Sequence, residues 1–130
     1  MDKRKTISFN DLIVWQEGHK LVLLIYKTTG NFPKDEIYGL TNQLRRASVS
    51  ITSNIAEGFC RKSFKEKIQF YYVSLGSLSE VNSQIIIARD LGYISSDVFN
   101  SIDLQIISVG KLLNGLISKS KSFNLSHSKF

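Results

Sequence analysis

A single cysteine in 130 residues leaves no disulfide framework within the chain, and a single proline, Pro33, leaves long stretches free to be helical. Long apolar runs are missing as well. The longest, residues 21–26, falls far short of the roughly 20 residues that a membrane-spanning helix needs. The opening Met1-Asp2-Lys3-Arg4-Lys5 leads into polar sequence rather than an apolar secretion core, so a soluble, cytoplasmic chain with no membrane partner is expected. Histidine is scarce too, with only His19 and His127. No acidic residue follows Asp103.

What is present suffices for one core. Hydrophobic residues make up 42% and charged residues 22%, too much of the first for disorder along the whole length and too short a chain for several domains. The formal charge is +6, from 17 Lys and Arg against 11 Asp and Glu, and it attracts polyanions at long range. The excess gathers in three zones. Lys3-Arg4-Lys5 forms a basic arm within residues 1–9, Arg61, Lys62, Lys65 and Lys67 crowd one junction, and the end of the chain has cations without acids.

The turn-forming residues also gather at a few places, which predicts four helices, over about 10–29, 33–59, 64–91 and 96–118. Asn10 can cap the first, Pro33 suits the first position of the second, and Asp35 and Glu36 follow in its dipole-favoured first turn. Ser63-Phe64-Lys65-Glu66 has the form of a capping box for the third, and Gly92 is its stop. Each helix carries a stripe at three-and-four spacing. Leu40, Leu44, Ala47, Ile51 and Ile55 make that of the second; Phe64, Ile68, Tyr71, Leu75, Leu78, Asn82 and Ile85 that of the third; Phe99, Ile102, Ile106, Val109, Leu113 and Leu116 that of the fourth. Gly110 and Gly115 each cost helix four about 1 kcal/mol relative to alanine, and 120–130 lacks periodicity, so a flexible tail is expected there.

Four amphipathic helices with short loops predict an all-α, antiparallel up-down-up-down four-helix bundle. A lone bundle needs one apolar stripe per helix, yet 21–26, 85–88 and Leu104 with Ile106-Ile107 are apolar nearly all round. Surplus greasy surface predicts a homo-oligomer.

Phe9-Asn10-Asp11-Leu12-Ile13-Val14-Trp15-Gln16, Glu36-Ile37-Tyr38-Gly39-Leu40 and Gln43-Leu44-Arg45-Arg46-Ala47 carry a resemblance, strongest at Ser50-Ile51-Thr52-Ser53-Asn54-Ile55-Ala56-Glu57-Gly58. With Gly76-Ser77-Leu78-Ser79-Glu80 and Leu91-Gly92-Tyr93-Ile94, the chain resembles the bundle proteins found as reading frames within intervening sequences of bacterial 23S rRNA genes. It departs from them at Ser74, where alanine is usual, and at Asn82-Ser83. The resemblance implies a homopentameric, barrel-like assembly. It also implies a likeness to the basic pentameric accessory proteins of diversity-generating retroelements, which engage nucleic acid and a reverse transcriptase. No reaction is implied.

Chemistry-bearing residues add little to suggest an enzyme. Neither histidine follows a glutamate by three positions, so the di-metal site of helical bundles lacks its ligands, and no metal or cofactor is expected. Cys60 has no histidine or second cysteine beside it and reads as a small buried apolar side chain. His19, near the first stripe, reads as a structural histidine, and Trp15 and Tyr26 as core. Asn54, Glu57 and Glu80 lie among apolar stripes and call for partners, which Arg45 or Arg46 can supply as a polar ladder joining helices two and three. Arg61, Lys62, Lys65 and Lys67 are the candidate nucleic-acid contacts, able to meet RNA or DNA by its backbone. Two functions follow from these features. One is a non-enzymatic oligomeric scaffold binding nucleic acid; the other is an adaptor docking an RNA-processing or reverse-transcribing protein, with charge merely assisting.

Overall fold

A computed structural model describes residues 8–128, so the basic arm Lys3-Arg4-Lys5 lies outside the described residues. Four helices form, α1 (Ile13–Thr29), α2 (Leu40–Cys60), α3 (Phe64–Asp90) and α4 (Ser96–Ser128), and no strand among the described residues. They pack as an antiparallel up-down-up-down bundle, each helix against its two neighbours around a square, with α1 and α4 closing the ring.

The predicted stripes become the core, with two adjustments. Leu40, Leu44, Ala47, Ile51 and Ile55 are all buried on α2. On α3 the buried line runs through Val81 and leaves Asn82 exposed, because Tyr71, Ser74, Leu78, Val81 and Ile85 follow the 3.6-residue turn more closely. On α4 it ends on Ile117 and Ser120 rather than Leu116.

The helix ends depart further from expectation. Residues 9–11 and 34–36 each form a short 3₁₀ turn, so α1 begins at Ile13 and α2 at Leu40, not at Asn10 and Pro33. Ser63 does cap α3, its hydroxyl accepting from the Glu66 amide at 3.2 Å. Gly92, at φ +78°, stops α3 as expected: the Tyr93 amide reaches back to the Ala88 carbonyl and the Gly92 amide to that of Arg89, the paired bonds of a Schellman ending.

The largest correction concerns the tail. Instead of ending near 118, α4 runs through Asn114-Gly115 and on to Ser128. Its extra turns are held by packing rather than propensity: Ile117 and Ser120 are buried, and Phe123 stacks on Phe64 at 5.3 Å between ring centroids. Antiparallel pairing thus carries the last turns of α4 to the first turn of α3.

Candidate nucleic-acid interface

The cationic junction lies where α2 hands over to α3, and two of its four cations are committed to the fold. Arg61 closes on Glu57 at 2.7 Å, reaches Glu66 at 4.0 Å and lays its guanidinium 4.6 Å from the centre of the Phe70 ring. Its Nε is buried with no acceptor. Lys67 donates to the carbonyls of Phe59 at 2.6 Å and Gly58 at 3.4 Å, capping the last turn of α2, where cations suit the dipole. Burial of that ammonium holds its pKa below the ordinary lysine range. Of the four cations expected as contacts, Arg61 and Lys67 thus finish helices, while Lys62 and Lys65 stay exposed without such ties.

The extension of α4 supplies what sequence reasoning missed. Lys119 sits 5.9 Å from the Phe123 ring centre, and Lys121 sits 5.1 Å from that of the half-exposed Tyr72 on α3. Lys62, Lys65, Lys119 and Lys121 thus share one end of the bundle with Phe64, Tyr72 and Phe123. The signal was there to be read: Leu113, Ile117, Ser120 and Asn124 keep the four-three-four spacing through the supposed tail. At the opposite end Asp35, Glu36, Asp90 and Asp97 stand among Lys34 and Arg89.

The polar ladder exists in a shorter form. Ser50 and Ser77 join their hydroxyls across α2 and α3 at 2.8 Å, and the Asn54 amide donates to the Ser50 carbonyl at 2.8 Å and to its hydroxyl at 3.0 Å. Deeper in the seam, the buried Ser74 hydroxyl donates to the Ile51 carbonyl at 2.7 Å. The other proposed rungs separate. Arg45, one residue and so 100° from Arg46, turns to α1, donating to Thr29 at 2.8 Å and to the Tyr26 carbonyl at 3.3 Å with its guanidinium over the Tyr26 ring. Glu57 shares the Arg46 side of α2, but three turns away its carboxylate is taken by Arg61. Arg46 and Glu80 face a cleft of about 310 Å³ between α2 and α3, lined also by Asn42, Gln43, Ser50 and Gln84.

Three further expectations are revised. Cys60 is a free, exposed thiol on the last turn of α2. His19 is exposed and stacks on Trp15 at 4.9 Å, while Trp15 packs partly buried against the core. Tyr26 is half-exposed and serves as a platform for Arg45. Among the described residues no group of three or more His, Cys, Asp or Glu could hold a metal ion, and no helix is long and apolar enough to cross a membrane.

Residues 10–115 match the sequence profile of the 23S rRNA-intervening sequence protein family. The chain belongs to that family. A crystal structure at 1.70 Å of a protein of unknown function from the S23 ribosomal protein family of Bacteroides thetaiotaomicron is similar in fold to this 23S rRNA-intervening sequence protein. The two superpose with a TM-score of 0.73 and 22% identity, over 81% of this chain and 98% of that one. No curated protein matches the sequence significantly.

Proposed function

We propose that this member of the family is a non-enzymatic homo-oligomeric scaffold that binds nucleic acid through cationic ends repeated around the assembly. The observation supporting it is the set of exposed lysines, Lys62, Lys65, Lys119 and Lys121, drawn to one end of the bundle beside the Phe64, Phe123 and Tyr72 rings. Lysines there meet phosphates without leaving any buried partner unpaired, and exposed rings offer a face to unstacked bases. Among the described residues no base-reading helix or loop accompanies them, so contact is with the backbone and with shape. Oligomerisation rests on the apolar outer faces: Val73 and Ile87 on α3 and Leu104 and Ile107 on α4 are exposed. A pentamer is the assembly that the family resemblance implies.

The test is fluorescence anisotropy with duplex DNA, structured RNA and single-stranded RNA across a salt series. The parent is compared with a variant carrying glutamine at 62, 65, 119 and 121. Binding by the parent should weaken steeply with salt, and the variant should bind weakly with a shallower slope. Absence of parent binding near about 100 mM salt overturns the reading and favours the adaptor, in which the same assembly docks a protein partner.

A further inference from the structure

We infer that the cleft between α2 and α3 is a binding site for an unpaired guanine base. Its two walls carry opposite chemistry. From α2 come Asn42, Gln43 and Arg46; from α3 come Glu80 and Gln84. Arg46 and Glu80 are exposed and face the same space, yet among the described residues neither has an ion-pair or hydrogen-bond partner. The Gln84 oxygen is buried and receives no hydrogen bond, a costly state for an acceptor.

These walls narrow the ligand by elimination. A simple anion satisfies Arg46 but is repelled by Glu80. A metal ion is poorly served by one carboxylate among amides and is repelled by Arg46. What fits is a neutral, planar group with hydrogen-bond donors along one edge and acceptors along another. A carboxylate accepts two parallel N–H bonds, and so selects adjacent donors. Guanine is the nucleobase with two neighbouring donors, at N1 and the 2-amino group, and it carries acceptors at O6 and N7 for Arg46 and the amides. Adenine and cytosine offer one amino group beside a ring acceptor, and uracil one N–H between two carbonyls. At about 310 Å³ the cleft is at the lower bound of small-ligand sites, the size for a base rather than a larger molecule.

A second hollow of about 550 Å³ adjoins it, sharing Asn42, Arg46 and Ser50 and adding Arg45 and Tyr26. It offers room and positive charge for the ribose and phosphate. The site lies about 20 Å along α2 from the lysine-rich end, so the two bind separately.

Calorimetric titration of the full chain with GMP, IMP and AMP tests the inference. IMP lacks only the 2-amino group. GMP is expected to bind roughly tenfold or more tightly than either, the discrimination of one good bidentate contact, and Glu80→Gln should erase most of that preference without changing the melting temperature. The combined Lys62→Gln, Lys65→Gln, Lys119→Gln and Lys121→Gln variant should leave GMP binding unchanged, which separates this site from the proposed backbone contact. Competition by an RNA hairpin with unpaired loop guanines assigns the base to RNA; failure of the hairpin to compete assigns it to a free nucleotide. Equal affinity for the three nucleotides, no GMP binding at millimolar concentration, or an unaltered preference in Glu80→Gln overturns the inference.

Discussion

Gly58 has no room for a methyl group. A Cβ there would stand 2.6 Å from one ring carbon of Tyr71 and 3.0 Å from the Cβ of Phe70, so α2 and α3 approach closely only because position 58 is bare. Tyr71 cannot easily yield, being 2% exposed, with its hydroxyl pushed up to about 12 by burial. Gly58→Ala is therefore expected to destabilise the fold by about 1–3 kcal/mol, measured by urea denaturation, with no loss of helix content in the folded state. Ser74 belongs to the same seam, where its hydroxyl donates to the Ile51 carbonyl on the facing helix. Periodicity revealed the side of α2 on which Arg46, Ser50, Asn54 and Glu57 stand, but not their partners. A helical face is set by 3.6 residues per turn, whereas the choice of Arg61 for Glu57 or Ser77 for Ser50 depends on a neighbour whose register no single segment encodes.

Glu36 does for α2 what its cap residue cannot. Gly39 precedes Leu40 without a side chain, and one Glu36 oxygen accepts from the Leu40 amide at 3.0 Å while the other accepts from the Tyr93 hydroxyl at 2.8 Å. The Leu40 amide, and after it Tyr93, hold the carboxyl below its ordinary value of 4.5. Since folding favours the ionised form, this stabilisation is complete above the unfolded value of 4.5 and is lost as pH falls through the lower folded value. Melting temperatures measured from neutral to acidic pH should show Glu36→Gln melting below the parent near neutrality, with the gap closing below about pH 4.5. A constant gap overturns this account of the cap. Such ends were the least legible part of the chain. All four helices could be read from spacing and turn residues, and the start at Ser63 and the stop at Gly92 too, because those signals are local. The starts at 13 and 40 and the run to Ser128 escaped, because 3₁₀ turns, a Glu36 cap steadied by the distant Tyr93 and a phenylalanine on another helix decide them.

The assembled bundle leaves more apolar surface in water than its core requires. Leu104 is 68% exposed, Leu23 56% and Val73 52%, on three different helices. Large apolar side chains this exposed are the surface that association between copies would cover. Light scattering at micromolar concentration is expected to report a multiple of 14.7 kDa, and the double variant Leu104→Glu, Ile107→Glu to lower that mass. A parent particle of 14.7 kDa sinks the oligomeric reading. The surplus was plain in the sequence because residues 21–26, 85–88 and 104–107 overfill a single stripe, but which copy covers which face is a property of geometry that composition does not carry.

The lysine-bearing end and the mixed-charge end occupy opposite poles of the bundle. Copies closed by a rotation axis parallel to the helices all point the same way, so their poles add instead of cancelling. In the proposed assembly the disc would be two-sided, with one cationic plate and one of mixed sign, and a phosphate chain would have a single side on which to land.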